Sequence, residues 1–384
     1  MSDERPTRIR LGMVGGGNEA FIGAVHRIAS RIDDEYVLVA GALSSTAERA
    51  RASGRALGLD PARSYDDYIA MAKREARLKD GIEAVAIVTP NHLHAPVARE
   101  FLRRGIHVIC DKPLTATLPE ARKLAKAAAD SGAVFVLTDN YTAYPMIRQA
   151  RAMVAQGALG RLRVVQVEYA QDWLATAVEA SGQKQAGWRT DPERTGAGGS
   201  TGDIGTHAYN IAGFVTGLRL ESLAADLQSF VPGRRVDDNG NVLLRYEGGV
   251  RGMLWCSQVA TGNENSLRLR VYGETGGLEW SQEDPNYLWY TPLGEPKRLL
   301  TRGGAGAGPE AARMTRVPAG HPEGYLECFA GIYAEAARAI RARRAGMPVP
   351  EDVLFPTIED GVAGVAFVDA CVRSSARNGA WVTL

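Results

Sequence analysis

The chain has 384 residues, of which 45% are hydrophobic and 23% charged, and its formal net charge is +1. This is the composition of a globular protein large enough for two domains, and the small net charge argues against a nucleic-acid or anionic-membrane partner. The sequence has no apolar run that could span a bilayer, its first ten residues are too charged for a signal peptide, and its four cysteines form no C-x-x-C pair, so we expect a cytoplasmic protein with reduced thiols.

The first third of the chain alternates short apolar runs with helical patterns, which is typical of parallel βαβ units. The predicted strands are residues 8–15, 36–43, 81–89, 106–111 and 134–140, and the predicted helices are 20–32, 46–57, 95–105 and 118–132. Several of these strands are apolar on consecutive residues, so both faces of their sheet should be covered. We predict an α/β domain with a parallel sheet over residues 1–140.

From residue 141 onward the pattern changes to longer, alternating strands with hairpin turns. The predicted strands lie within 161–173, 222–231, 241–260 and 266–280, helices return at 324–344 and 358–378, and 301–320 is predicted to be a loop. We predict a second α/β domain over residues 141–384, with a large open and mostly antiparallel sheet. Such a sheet leaves one face exposed, which predicts a homo-oligomer, either a dimer or a tetramer.

The first strand leads into a glycine-rich turn, LGMVGGGNEA. Gly15, Gly17 and Ala20 have G-x-G-x-x-A spacing between a strand and a helix, with Asn18 inside the turn. Gly15 would allow the tight turn, Gly17 would let a pyrophosphate approach the backbone, and a small residue at position 20 would let the helix sit close to the sheet. The alternative is a structural turn. Its place in the first βαβ unit favours dinucleotide binding.

The end of the second strand bears on the choice of dinucleotide. An acidic residue there usually holds the ribose of NAD, but this chain has Ser44 and Ser45, followed by Arg49. Hydroxyls with a guanidinium would suit the 2′-phosphate of NADP. The alternative is that Arg49 is a solvated helix residue and that the cofactor is NAD.

Two further strand ends carry candidate residues. VTPNHLHAP contains Thr89, Pro90, Asn91 and His94, which we expect to line the nicotinamide end of the cofactor; its H-x-H pair is weak evidence for a metal, and we predict none. IHVICDKPLT places Asp111 and Lys112 after a buried strand, where open α/β sheets bind ligands. Lys112 could stabilise charge on a substrate oxygen, with Pro113 in a cis peptide bond, or it could simply begin an exposed turn.

These motifs in this order, ending with GDIGTHAYN at residues 202–210, resemble the Gfo/Idh/MocA family of NAD(P)-dependent oxidoreductases of sugars and cyclitols. The resemblance covers almost the whole chain. It implies a Rossmann domain followed by an α/β domain with an open sheet, and a catalytic set of Lys112, Asp203 and His207. DKP replaces the commoner EKP, so that Asp111 keeps the carboxylate. The run SSTAER is similar to the phosphate-binding segment of NADP-using relatives.

Asp203 and His207 are four residues apart, which would place them on one face of a helix. A metal site would need a third ligand, which the spacing does not suggest. Asp203 could cap the helix, but this would leave the histidine unexplained. The third reading is proton transfer, for which histidine is suited because its ordinary pKa is near working pH. We assign His207 as acid/base and Asp203 as its helper; whether His207 or Lys112 takes the proton first stays open.

Other polar and aromatic residues are candidates for the substrate site, each with a structural role as the alternative: Tyr141, Asp172, Trp173, Arg189 and His321. A tryptophan face suits the apolar side of a sugar ring, and Arg189 could bind hydroxyls or a carboxylate.

The predicted function is hydride transfer between NADP or NAD and a secondary hydroxyl or ketone of a sugar, glycoside or cyclitol. The rivals are an NAD-dependent, redox-neutral glycosidase of the same fold and a non-catalytic sensor.

Overall fold

The computed structural model describes residues 7–18 and 20–384. Residues 1–6, part of the charged segment that argues against a signal peptide, lie outside this range. The chain divides into two compact units. The first contains the described residues up to 115 together with 119–138 and 329–361, and the second contains 116–118, 139–328 and 362–384.

The described residues of the first unit form a five-stranded parallel sheet in the order β2-β1-β3-β4-β5. The strands are β1 (Ile9–Gly15), β2 (Tyr36–Ala42), β3 (Ala84–Val88), β4 (His107–Cys110) and β5 (Phe135–Leu137). The helices between them are α1 (Phe21–Ile32), α2 (Ala47–Ala56), α3 (Tyr68–Glu75), α4 (Asn91–Leu102) and α5 (Leu118–Ser131). Every residue of β3 is buried, as its unbroken apolar run predicts. The strand order changes direction at β1 and β3, whose carboxyl ends are where such sheets bind ligands.

The described part of the second unit contains a nine-stranded sheet in the order β13-β12-β11-β10-β6-β9-β8-β7-β14. Its strands are β6 (Leu162–Ala170), β7 (Leu220–Gln228), β8 (Asn239–Tyr246), β9 (Arg251–Ser257), β10 (Ser266–Gly273), β11 (Gly276–Ser281), β12 (Tyr287–Pro292), β13 (Arg298–Thr301) and β14 (Val382–Thr383). Neighbouring strands are antiparallel except β6 and β9. The α/β fold class with a mostly antiparallel second sheet is therefore confirmed.

Helices complete the chain after β5: α6 (Pro145–Ala155), α7 (Lys184–Arg189), α8 (Pro192–Thr195), a π-helical turn (Thr201–Gly205), α9 (Thr206–Thr216), α10 (Pro309–Met314), α11 (Tyr325–Arg344) and α12 (Ile358–Ser375). None of the helices in the described ranges is both long and apolar enough to cross a bilayer.

One face of the nine-stranded sheet is open along a continuous row of paired positions. The row runs from Leu243 through Met253 to the middle strands, and ends at Trp289 and Leu299. These four apolar side chains are exposed. On the opposite face, residues such as Val165 are buried, because successive side chains of a strand point to opposite faces.

The stretch 301–320 differs from its prediction as a loop, because it contains α10. Pro309 stands at the first position of this helix, where its missing N–H costs nothing. Ala311 and Met314 are buried, and the N–H of Gly308 donates to Gln149 of α6 at 2.6 Å. The apolar contacts that stabilise this short helix are thus made with distant residues, which the local Gly/Ala-rich pattern did not reveal.

Candidate active site

The turn between β1 and α1 is shaped by three consecutive glycines. Gly15 and Gly16 have φ angles of +78° and +68°, in the left-handed region that favours glycine. A Cβ on Gly15 would lie 2.5 Å from the carbonyl oxygen of Val88, and one on Gly17 would lie 2.5 Å from that of Leu43. The turn is therefore packed between backbone segments at the ends of β2 and β3 and leaves no room for side chains.

The start of α1 is held against this turn. The N–H of Asn18 donates to Ser53 Oγ at 3.0 Å, and Ala20 is the residue that precedes the helix. The close contact with the turn lies at Gly23, where a Cβ would be 2.4 Å from the Cα of Gly16. The small residue in this contact is Gly23, and a packing role for Ala20 stays a prediction.

The glycine turn fits the pyrophosphate of a dinucleotide. It presents backbone without side chains, and α1, which follows at Phe21–Ile32, directs the unsatisfied N–H groups of its first turn toward the same end of the sheet. Anions are stabilised at such a helix terminus.

Ser44, Ser45 and Arg49 follow β2, which is adjacent to β1. The N–H of Gly17 donates to the carbonyl of Leu43 at 3.1 Å, so the residues after β2 begin directly beside the glycine turn. Ser44 is half-buried, and Ser45 and Arg49 are exposed. A contact between these side chains and a ribose substituent stays a prediction.

The segment after β3 has one residue in an unexpected environment. Thr89 and Pro90 follow the strand, and Asn91 begins α4. His94 is only 1% exposed; its Nδ1 lies 2.7 Å from the carbonyl oxygen of Pro113 and its Nε2 lies 2.8 Å from that of Thr89. Both ring nitrogens face backbone carbonyls inside the unit, which corrects the expectation that His94 lines the cofactor.

Lys112 follows β4, the neighbour of β3. The N–H of Lys112 and the hydroxyl of Thr138 both donate to Oδ1 of Asp111, each at 3.0 Å. The Lys112–Pro113 peptide bond is cis, as predicted. The Asp111 carboxylate is thus used in hydrogen bonds that hold the end of the strand. Lys112 is the next residue along the chain.

In the second unit, the Asp203–His207 motif begins in a π-helical turn. Asp203 lies within Thr201–Gly205, which leads directly into α9, where His207 is the second residue. Single π turns within helices are frequent at functional sites. The sequence predicted that Asp203 and His207 share one α-helix. The segment between them instead begins in a π-helical turn, which is wider than an α-helical one.

The start of this helix is capped by Asp237. Its carboxylate accepts hydrogen bonds from the N–H of Gly199 (2.7 Å), the hydroxyl of Ser200 (2.7 Å), and the N–H and hydroxyl of Thr201 (2.8 and 2.6 Å). Capping, which was one of the roles considered for Asp203, is therefore performed by Asp237.

His207 is enclosed by a carboxylate and aromatic rings. Its Nδ1 lies 3.0 Å from Oδ1 of Asp139, and both side chains are 7% exposed. The two atoms lie close together without meeting the geometry of a hydrogen bond. The ring of Tyr141 stacks edge-on against the imidazole, with centroids 4.7 Å apart, and that of Tyr169 lies at 6.2 Å.

Tyr141 begins a chain of hydrogen bonds. Its hydroxyl lies 2.6 Å from that of Tyr169, which donates to Oδ1 of Asn265 at 2.7 Å. The side chain of Gln171 donates to the same oxygen and accepts from the indole N–H of Trp173. Burial raises the pKa of Tyr141 to about 12, so its hydroxyl stays protonated. Tyr141 is buried; its contact is with His207, which differs from the direct substrate contact expected for it.

Asp203 and Arg189 are brought together. Oδ2 of Asp203 accepts from the side-chain amide of Gln258 at 2.9 Å and lies 3.3 Å from Nε of Arg189. The guanidinium of Arg189 lies over the ring of Trp188, 4.2 Å from its centroid. The side chains of Asp203 and Arg189 are 16% and 25% exposed, so both reach a surface where a polar ligand could meet them.

Asp172 and His321 are held in loops. Oδ2 of Asp172 accepts from the N–H of Gly262 at 2.9 Å. His321 is exposed, and its main-chain carbonyl accepts from Arg302, which also pairs with Glu323 at 3.0 Å. A role for Asp172 and His321 in substrate binding stays a prediction.

Sequence reasoning missed three residues of this region: Asp139, Gln258 and Asn265. Asp139 lies two residues after the end of β5, the last parallel strand, and the end of such a strand is a general signal for a ligand-binding position. Gln258 and Asn265 lie near the ends of strands of the second sheet, and no local pattern marks them. Among the described residues, no group of three or more His, Cys, Asp or Glu side chains could hold a metal ion.

Comparison with known proteins assigns the chain to a family. Residues 9–139 match the oxidoreductase family with an NAD-binding Rossmann fold, GFO_IDH_MocA, and residues 147–279 match a GFO/IDH/MocA C-terminal domain. The uncharacterized oxidoreductase YfiI of Bacillus subtilis is 35% identical over 378 residues, which cover 97% of this chain and 96% of that protein. The chain belongs to the GFO/IDH/MocA family. It is an NAD-binding oxidoreductase of the dehydrogenase type.

Two solved structures agree over the whole length. An oxidoreductase from Sinorhizobium meliloti is 64% identical with a TM-score of 0.90, covering 98% of this chain and 100% of that one. An inositol dehydrogenase homolog from Azotobacter vinelandii, in complex with NADH and myo-inositol, is 38% identical with a TM-score of 0.92, covering 98% of both chains.

Proposed function

We propose that this enzyme transfers a hydride between a nicotinamide dinucleotide and a secondary hydroxyl, or the matching ketone, of a cyclitol, sugar or glycoside. The observation that carries the proposal is the environment of His207, an imidazole 3.0 Å from the Asp139 carboxylate and walled by Tyr141. The homolog that holds NADH and myo-inositol makes cyclitols the first substrates to test.

The proposed mechanism assigns each side chain a step that its surroundings suit. When bound, the cofactor supplies the hydride acceptor. Oxidation of an alcohol also releases a proton, which His207 accepts, and the nearby Asp139 carboxylate stabilises the resulting imidazolium. Lys112 stabilises negative charge on the substrate oxygen, and Asp203, oriented by Gln258 and Arg189, binds a substrate hydroxyl.

The dinucleotide would be held by the glycine turn, with Gly15, Gly17 and Asn18 nearest the pyrophosphate. The hydroxyls and guanidinium after β2 favour NADP, because arginine binds phosphate in a two-pronged geometry. The A. vinelandii homolog binds NADH, so both cofactors belong in the assay.

The test is a panel of inositols, aldoses and glycosides with NAD⁺ and NADP⁺, followed at the absorbance band of the reduced nicotinamide. Lys112→Ala and His207→Ala should each lower kcat by about 10²- to 10⁴-fold, the range for loss of an acid/base or an oxyanion donor. Lys126→Ala is the matched control, because this exposed lysine only pairs with Asp130. Unchanged turnover in the Lys112 or His207 variants would refute their roles.

The same panel separates the rival functions. A redox-neutral glycosidase would release free sugar from a glycoside without net reduction of the cofactor, and a sensor would bind ligands without turnover. Reduction of the cofactor that depends on the polyol supports the dehydrogenase.

We also propose that a second copy of the chain covers the open face of the nine-stranded sheet. Exposed apolar side chains lie at both ends of the row of paired positions, Leu243 and Met253 at one end and Trp289 and Leu299 at the other. Between them the row contains Gln166, Arg270 and Glu279. Light scattering coupled to size exclusion tests this, and Leu243→Asp with Met253→Asp should shift a dimer or tetramer toward the monomer.

A further inference from the structure

The buried histidine of α4 joins two loops of the first unit. His94 is 1% exposed, and its two ring nitrogens lie at 2.8 Å and 2.7 Å from the carbonyl oxygens of Thr89 and Pro113. Thr89 follows β3 and opens the segment with Pro90 and Asn91; Pro113 follows β4 and is bonded to Lys112. One ring therefore spans the segments after β3 and β4, both of which carry candidate residues of the first unit.

The sheet itself does not extend this far. The pairing of β3 with β4 ends at Ile87 and Cys110, and the N–H of Asp111 donates to the carbonyl of Ile87 at 2.9 Å. Beyond this point the two backbones leave the ladder, and their separation depends on other contacts. The ring of His94 lies within hydrogen-bond distance of both backbones beyond this point. Its partner Thr89 is two residues past Ile87 of β3, and its partner Pro113 is three residues past Cys110 of β4.

The chemistry of the ring makes the contact directional. A neutral imidazole has one N–H and donates to one carbonyl, whereas the imidazolium donates to both. Burial lowers the pKa of His94, while the Asp111 carboxylate and the two carbonyls act in the opposite direction, and His92 adds to the lowering. The two contacts can therefore be removed separately by amide side chains that place a single donor at one or the other nitrogen position.

We propose that His94 is a positioning residue that fixes the Thr89–Asn91 segment against the Lys112–Pro113 segment, and so sets where the Lys112 backbone stands relative to the cofactor-binding edge. This inference rests on the proposed function of Lys112 and deepens it. A displacement of about 1 Å in a reacting group can cost about 10²-fold in rate, so a tie between these backbones has a kinetic consequence.

The test uses amide substitutions that retain one contact each. The side-chain nitrogen of asparagine takes the place of Nδ1, so His94→Asn keeps the donor toward Pro113. The nitrogen of glutamine takes the place of Nε2, so His94→Gln keeps the donor toward Thr89. We expect His94→Gln to lower kcat by about 10-fold or more with an unchanged Kd for NADH or NADPH, and His94→Asn to weaken that Kd while it retains most of kcat.

Thermal unfolding of each variant shows that it is folded, and His107→Asn is the matched control. His107 lies at the opposite end of β4, where its Nδ1 accepts from the N–H of Val134 at 2.9 Å, so its replacement should leave both kcat and Kd unchanged. If the Asn and Gln variants change kcat and Kd in the same proportion, or change neither, the proposal is wrong.

A readout without turnover separates this inference from the proposed function. In His94→Gln, hydrogen exchange should be faster in the peptide covering residues 110–115. In His94→Asn, it should be faster in the peptide covering residues 88–91. Exchange rates equal to those of the unmodified protein in both variants would overturn the positioning role. If no polyol is oxidised but the exchange rates change as expected, the proposed function fails and the tie between the segments stands.

Discussion

Replacing Asp237 by alanine should destabilise the second unit and disturb the helix that carries Asp203 and His207. The carboxylate accepts four hydrogen bonds at 2.6–2.8 Å, and the side chains of Ser200 and Thr201 are fully buried. Loss of the cap costs about 1 kcal/mol, and two buried hydroxyls without their acceptor cost about 1–3 kcal/mol each. We expect the free energy of unfolding to fall by about 3–7 kcal/mol in total.

The assay is equilibrium unfolding in urea, followed by circular dichroism, with kcat measured below the unfolding transition. Asp237→Asn is the control, because it keeps one acceptor oxygen and nearly the same volume, and it should lose roughly half as much stability. Since the cap lies in the turn before Asp203, kcat should fall in Asp237→Ala even where the protein is folded. A loss of stability below about 1 kcal/mol, the cost of an ordinary cap alone, would refute the reasoning.

Three further outcomes are expected. Burial lowers the pKa of His26 to about 4, so the folded protein resists protonation there, whereas the unfolded chain takes up a proton below the ordinary pKa near 6.5. The free energy of unfolding should therefore fall by about 3 kcal/mol as the pH drops from about 6.5 to 4. Urea unfolding of His26→Leu should show a correspondingly weaker pH dependence. Arg49→Ala should raise the KM for NADP⁺ several-fold and leave the KM for NAD⁺ unchanged. The control is Arg51→Ala, because the guanidinium of Arg51 pairs with Asp66. Equal changes in KM for both cofactors would exclude a contact between Arg49 and the phosphate. In Asp139→Asn, kcat should fall by about 10-fold or more and the acidic limb of its pH profile should move to lower pH, because a neighbouring carboxylate favours the imidazolium of His207; a profile that keeps its shape would remove Asp139 from the mechanism.

Local pattern was sufficient for the five strands of the parallel half of the fold, although α3 (Tyr68–Glu75) was not predicted. β3 (Ala84–Val88) is apolar and buried at every position, because a strand covered on both faces has no polar side to alternate with. The glycine turn was also predicted from local pattern. The left-handed backbone at Gly15 favours glycine over other residues, so the need for a tight turn is visible as a glycine in the sequence.

The prediction that residues 301–320 form a loop was wrong at Pro309–Met314, which form α10, and the reason is physical. α10 has six residues, too few to be stable by helix propensity alone, and its buried side chains Ala311 and Met314 depend on packing. Likewise, Gly23 was not recognised as the contact between α1 and the glycine turn, because its requirement arises from the Cα of Gly16 across a tertiary contact.

The residue types at the candidate site could be read from the sequence, since a strand end followed by lysine and a D-x-x-x-H motif are local features of spacing and chemistry. Their partners could not. The carboxylate beside His207 comes from Asp139, 68 positions earlier in the chain, the cap of the same helix comes from Asp237, and His94 faces two backbone carbonyls rather than a ligand. Each of these contacts joins residues far apart in sequence, and hydrogen bonding and charge act over a few ångströms in space, whatever the separation along the chain.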